Sequence, residues 1–449
     1  MFASVYPEHV RLVTNGLQEV LEDTGFDGII IGSGRLRSKT RFDDQEWPYQ
    51  PSPFFRWVTP LAWPDCAVVM SRTGAPTLWA IERSSFWEAA PVADWSLIES
   101  GLEVERVESM ESLRSLSGRW AIVAEDEFDH RPSNAELNPE MVLRGLEDLR
   151  VHKTDYEIQA MTVASRIGAM GHRAAGRAFA DGDRSELLIH LRYLEATGQD
   201  DHETPYKNIV ALGRHAATLH HVTYGTQPEA RSMLIDAGAM SVGYCSDITR
   251  THVSGGNGED VALFRQLVSD VEALQLGLID SIRVGMNYES LHDRAHELLA
   301  RALVDLQLLR VSEEAAVETG LTRKFFPHGL GHSIGVTTHD VGCRRRSPAA
   351  RNPFLRNTRD IAPRQVFTVE PGVYFIDALL NEIRRDMPHA VDWNVVEVLK
   401  PFGGVRIEDN VVVLEPTEQG SPVRNLTREA FASLRAAGRD QCDTMNEAQ

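Results

Sequence analysis

The sequence predicts a mixed α/β protein of two domains, an α/β domain over residues 1–155 and an α+β domain over residues 156–440. Three observations predict it. Its 449 residues exceed one average domain. Apolar runs of strand length alternate with helix-period segments through the first third. A connection beginning at ELNPEMVLRG then grows into one long helical pattern, and beyond it helices separate short strand-rich motifs.

Taken in order, HVRLVTNGLQEVLEDTG reads as an amphipathic helix ended by glycine, and FDGIIIGSG as a buried strand. CAVVMSRTGAPTLWAI and WAIVAEDE continue the strand alternation. The stretch through KTDYEIQAMTVASRIGAMGHRAAGRAFADG is a long helix that crosses the boundary. In the second part EDVALFRQLVSDVEALQLGLIDSIRVG and YESLHDRAHELLARALVDL carry helical apolar spacing. The tail after Ala436 is polar and expected to fray.

Composition narrows the functional classes. An apolar fraction of 42% with 25% charged residues is that of a globular domain with ample core. No apolar stretch approaches the roughly 20 residues that span a bilayer, and Glu8, Glu19, Glu22 and Asp23 leave no signal-peptide pattern. A formal net charge of −19 disfavours nucleic acid and anionic membranes as partners. Cys66, Cys245, Cys343 and Cys442 show no metal spacing, so reduced thiols in a cytoplasm are the default.

Five residues stand out: Asp236 in LIDAG, Asp247 in CSDIT, His332 in HGLGH, Glu370 in VEPG and Glu408 in VRIED. Asp236 and Asp247 occupy mirrored places about a turn near Ser241-Val242, so an antiparallel hairpin would set them face to face, roughly 5 Å apart. Opposed carboxylates destabilise a hairpin unless a cation lies between them. Arg406 and Glu408 share one face of a strand whose other face is Val405 and Ile407. Glu370 ends the run VFTVE and is stopped by Pro371-Gly372, which suits a side chain aimed into a cavity. His328 and His332 have helical spacing, but Gly329 and Gly331 argue for a tight loop. Each feature alone has a plainer reading as a turn former, a surface histidine pair or a solvated strand face. Together they suggest a hydrolase centre, because four carboxylates and an imidazole need cations to converge in an interior.

In this order and context the residues resemble the creatinase/aminopeptidase, or pita-bread, metallopeptidases. Within them the chain is most similar to the bacterial Xaa-Pro dipeptidases (prolidases), relatives of the organophosphorus acid anhydrolases. The similarity runs nearly end to end, through FDDQEWPYQPSPFFRWVTP, TPYKNIVAL, ATLHHVTYG, DITRT, FFPHGLGHSIG, THDVG, VFTVEPGVYF and KPFGGVRIEDNVVV. The resemblance implies a creatinase-like N-terminal domain, a pita-bread catalytic domain and a homodimer. It also implies two divalent metal ions, with Mn²⁺ expected from the oxygen-rich donors and Co²⁺ or Zn²⁺ as alternatives. Asp247 and Glu408 would bridge, Asp236 would serve one metal, and His332 and Glu370 the other. A hydroxide between the metals would be the nucleophile, Glu370 would shuttle its proton, and Thr249 would orient Asp247.

The substrate implied is an Xaa-Pro dipeptide, whose bond is a tertiary amide without an N–H. His328 and His339 would donate hydrogen bonds near the carbonyl and carboxylate, and Arg406 would favour the anion. His220 would line the same region, although the adjacent His221 stands where relatives carry Tyr, so either could face the pocket. Tyr206 is expected as a pocket wall, and Thr337-Thr338 as a more polar wall beside His339. Asp44, with Asp43, would reach the partner's site and hold the substrate amine. Alternatives are an aminopeptidase P acting on longer peptides and a non-catalytic binding protein on the same scaffold. Hydrolysis of organophosphate esters is an implied side activity.

Overall fold

The computed structural model describes residues 2–82, 86, 92–125, 128–415 and 423–446, with side chains described as far as residue 437. It divides into two compact units, residues 1–160 and 161–449.

The first unit is built on a six-stranded sheet. Its spatial order is Glu103–Arg106, Thr77–Ala80, Ala67–Ser71, Gly28–Gly32, Trp120–Val123 and Ala135–Leu137. Gly28–Gly32, the expected buried strand, pairs antiparallel with Ala67–Ser71 and parallel with Trp120–Val123. All five of its residues are buried, which explains an apolar run without alternation. The WAIVAEDE run becomes Trp120–Val123, and its last two residues lie outside the described ones. Helix Tyr6–Thr24 buries Tyr6, Val10, Val13, Leu17 and Leu21 at helical spacing, and Gly25 caps it at φ 70°.

The second unit opens with most of the long helix Asp155–Ala180. Its strands form small sheets. Ile209–Leu212, Ser232–Asp236 and Thr249–Val253 make one, and Val366–Val369, Asp409–Val413 and Val423–Asn425 another. Gly372–Tyr374 pairs antiparallel with Gly404–Arg406. Helices Glu259–Ser281 and Tyr288–Asp305 pack into a large apolar core in which Phe264 stacks on Phe402 and which includes Val405 and Ile407. The tail expected to fray is helical through Asn446, the end of helix Leu426–Asn446. No helix among the described residues is long and apolar enough to cross a membrane.

One register departs from expectation. The hairpin turns at Val242–Gly243, one residue later than Ser241-Val242, with both φ values positive (44° and 89°). Two positive φ values give the turn whose twist suits a tight hairpin. Asp236 therefore lies opposite Thr249, and Asp247 is its diagonal neighbour two residues along.

Three buried histidines, His172, His292 and His296, and the half-buried His252 make the second unit acid-sensitive. Burial, the largest cause for each, pushes His172 down to about 3, His252 and His292 to about 4, and His296 to about 2. Each also has a buried ring nitrogen with no hydrogen-bond partner. In the unfolded chain a histidine takes up its proton near pH 6.5. The folded chain resists that proton, so the stabilisation is complete above pH 6.5 and is lost as pH falls towards 4. Chemical denaturation should show about 1 kcal/mol lost per histidine between pH 7.5 and 5.5. A flat profile across that window would contradict neutral burial.

Candidate metal centre

The five acidic and imidazole residues reach one cleft from five backbone segments. Asp236 ends strand Ser232–Asp236, and Asp247 lies on the returning arm of the hairpin. Glu370 follows strand Val366–Val369 at the Pro371 break. Glu408 lies just beyond strand Gly404–Arg406, and its backbone bridges Thr249, which joins two sheets at the centre. His332 comes from the HGLGH loop, whose non-helical path was expected. Neither Gly329 nor Gly331 has positive φ; Gly331 is needed for close approach to the Thr368 carbonyl, while Gly329 is only tightly packed.

Together they line a cavity of about 480 Å³ that also presents His220, His328, His339 and Arg406. Asp247, His332 and Glu408 offer ligand atoms within 4.8 Å of one another, all buried. His332 Nε2 lies 3.5 Å from Asp247 Oδ2, 3.7 Å from Glu370 Oε1 and 4.0 Å from Glu408 Oε1. Its Nδ1 donates to the Ser333 carbonyl at 3.0 Å, which turns Nε2 towards the three carboxylates. Tyr206 Oη lies 2.7 Å from Asp236 Oδ1 and 2.5 Å from Asp247 Oδ1 and has one proton to share between them, so the two aspartates share one side of the hairpin.

The charge balance shows what this donor set accommodates. Burial drives the Glu408 carboxyl well above its ordinary range, and Asp247, Glu370 and Asp236 add to the rise. Burial pushes Glu370 up to about 7 against the pull of His332 and Arg406. Asp236 is raised by burial and moderated by Arg406. Only Asp247 stays low, because hydrogen bonds from His332 and Tyr206 outweigh its burial. Three carboxyls thus resist ionisation beside one imidazole, and divalent cations are the species that would let all four ionise together.

Several expected roles change. Thr249 Oγ1 donates to Glu408 Oε2 at 2.7 Å and so orients Glu408 rather than Asp247. Tyr206 does not line the cavity; it tethers two carboxylates behind it. His220 lines the cavity, whereas His221 turns to Glu186 at 2.9 Å. His328 has both nitrogens engaged, Nδ1 with the Gly329 carbonyl at 2.9 Å and Nε2 with Tyr374 Oη at 2.8 Å, which occupies the donor expected for substrate. Arg406 is buried, pairing Asp236 through Nη2 at 2.6 Å and Tyr374 Oη through Nη1 at 2.9 Å. Thr337 Oγ1 bonds Asp340 at 3.0 Å, and neither Thr337 nor Thr338 lines the cavity, so the expected polar wall is not formed. Asp44 belongs to the first unit, on an exposed loop where its N–H bonds Asp43 at 2.8 Å.

Sequence reasoning missed two supports. Tyr374 links His328 to Arg406, and the Asn410 side chain accepts from the Asp247 N–H at 3.2 Å. Both lie inside motifs already singled out, VFTVEPGVYF and KPFGGVRIEDNVVV. Strand alternation could not distinguish them from packing residues.

Comparison with known proteins accounts for both units. Metallopeptidase family M24 matches residues 159–415, and the family described as the Xaa-Pro dipeptidase N-terminal domain matches residues 4–147. An Xaa-Pro dipeptidase of Xanthomonas axonopodis pv. citri (strain 306) is 39% identical, over 96% of this chain and 98% of that protein. An Xaa-Pro dipeptidase of Stenotrophomonas maltophilia (strain K279a) is 38% identical over the same shares. Among solved structures, proline aminopeptidase P II from Yersinia pestis superposes with a TM-score of 0.71 at 21% identity, covering 96% of this chain and 97% of that one. Aminopeptidase P from E. coli with the inhibitor Pro-Leu gives 0.70 at 21% identity, covering 95% and 99%.

Proposed function

Because the chain belongs to metallopeptidase family M24, we propose that it is a metal-dependent Xaa-Pro dipeptidase, a prolidase with the pita-bread fold. The observation that carries this is the convergence of Asp236, Asp247, His332, Glu370 and Glu408 on one cleft, in a chain matched almost end to end by dipeptidases. Asp247 and Glu408 would bridge two divalent cations, Asp236 would hold one, and His332 and Glu370 the other. When bound, such a pair supplies a nucleophile from water at neutral pH and polarises the scissile carbonyl.

The remaining chemistry belongs to the chain. Glu370 takes the proton of the attacking water at its carboxylate and passes it to the proline nitrogen as that nitrogen leaves. Thr249 and Tyr206 hold Glu408 and the aspartates in place. His220, His339 and Arg406 present the cavity wall that would receive the proline carboxylate. His328 supports that wall through Tyr374 and Arg406.

Finer features belong to the same reading. Oxygen-rich donors with one imidazole support Mn²⁺, with Co²⁺ or Zn²⁺ able to replace it. A homodimer in the cytoplasm would place Asp44 against the substrate amine of its partner and restrict cleavage to dipeptides. Slow organophosphate ester hydrolysis would use the same centre. The likeness to aminopeptidase P carries the fold alone, so the dipeptidase reading stands ahead of cleavage of longer peptides.

Metal-free protein titrated with Mn²⁺ should regain cleavage of Gly-Pro, Ala-Pro and Leu-Pro while sparing Ala-Pro-Ala. Equal cleavage of the tripeptide would move the reading to aminopeptidase P. Bound metal without any turnover would leave a binding protein.

A further inference from the structure

Behind His220 a second set of nitrogen and oxygen donors meets. Glu186 begins helix Glu186–Thr197, His215 lies in the 3-10 turn Gly213–Ala217, and His221 follows His220 directly. The Glu186 carboxylate is fully buried. Its Oε1 accepts from the Leu212 N–H at 2.9 Å and from His215 Nδ1 at 2.6 Å. Its Oε2 accepts from the Gly225 N–H at 2.7 Å and from His221 Nε2 at 2.9 Å. Two backbone N–H groups therefore fix the carboxylate, and each oxygen turns its remaining lone pair to an imidazole. The two rings lie 4.4 Å apart, and one atom from each of the three residues falls within 4.8 Å of the others.

We propose that Glu186, His215 and His221 form a third metal site, suited to Zn²⁺ and separate from the dinuclear centre. Two imidazoles and a carboxylate with an open fourth position are a ligand set that zinc takes. The nitrogen share favours Zn²⁺ over Mn²⁺, the reverse of the oxygen-rich cleft. The outer contacts are in place as well. Leu212 and Gly225 orient the carboxylate, and Gln227 Nε2 lies 3.0 Å from His215 Nε2. A side-chain amide presents either face, so His215 can move its proton from Nδ1 to Nε2 and keep that bond. The imidazole N–H groups now stand where the cation would sit, and a tautomer shift clears the place without net proton loss. His215 is 31% exposed and supplies the entry path. The site lies one residue from His220, so an ion there would also fix the loop that carries His220 to the cleft.

The test is metal content, which stands whether or not the cleft cleaves peptides. Full-length protein equilibrated with Zn²⁺ and freed of unbound metal should hold three ions per chain. His221→Phe and His215→Gln should each hold two, with circular dichroism matching the wild type. Loading with Mn²⁺ should give two in all three proteins. On an Asp247→Asn background, adding His221→Phe should still remove one Zn²⁺, which isolates this site from any failure at the cleft. Equal zinc content in the wild type and both histidine variants would overturn the proposal.

Discussion

Glu408→Gln is expected to abolish dipeptide cleavage while leaving the metal-free protein at least as stable as the wild type. The opposite signs come from one cause. Glu408 is 2% exposed, and its carboxyl is held far above its ordinary range by burial and by Asp247, Glu370 and Asp236. A carboxyl in that state costs stability at neutral pH, because the unfolded chain ionises it freely. Glutamine keeps the shape and an acceptor for Thr249 while removing the charge conflict. With metal the order reverses, since the variant lacks one of the proposed metal ligands. Metal at 1,000 times its Kd stabilises a folded protein by about 4 kcal/mol, and the variant should forgo most of that. Losing a partner of a ligand typically costs roughly 10–100-fold, so losing the ligand itself should cost on the order of 1,000-fold or more. Melting curves with and without Mn²⁺, beside kcat on Ala-Pro, check both signs. A variant destabilised equally in both states would mean Glu408 is a structural residue with no metal to serve.

The centre was legible in the sequence to the extent that strand periodicity governs it. Arg406 and Glu408 both reach the cleft and Val405 and Ile407 both reach the core, as alternation requires. Glu370 turns into the cavity at its proline break as expected. The hairpin register slipped because a turn with two positive φ values was placed on Val242 and Gly243, and a valine carries no signal for that conformation. Tyr206 and Thr249 were recognised as near the site but given the wrong neighbours. Which carboxylate a hydroxyl meets depends on packing between segments far apart in sequence, and periodicity does not encode it. The Glu186 cluster was invisible for the same reason, since its donors come from a helix, a turn and a loop.

Gly331→Ala should cost roughly 100-fold in rate, although Gly331 lines the cavity without a side chain to offer a metal. A Cβ there would lie 2.1 Å from the Thr368 carbonyl oxygen and 2.4 Å from Tyr288 Oη. Neither can retreat cheaply. Tyr288 Oη donates to that same carbonyl at 2.8 Å, the Thr368 N–H donates to the His332 carbonyl at 2.9 Å, and Thr368 Oγ1 accepts from the His332 N–H at 3.2 Å. The strand that resists the methyl group is thus the strand that fixes His332. Relief requires the loop to lift and carry the imidazole away from Asp247, Glu370 and Glu408. Overpacking of this kind costs about 3 kcal/mol, and a 1 Å displacement at a reacting centre costs roughly 100-fold in rate. Gly329→Ala supplies the scale, because its Cβ would stand 3.0 Å from Leu355 Cα and the Phe354 carbonyl, a contact that a small shift relieves. Thermal melts and Mn²⁺-dependent kcat should therefore rank Gly331→Ala well below Gly329→Ala. Near-normal activity in Gly331→Ala would show that the HGLGH loop can yield without moving its histidine, and that His332 is held by something other than its contact with Thr368.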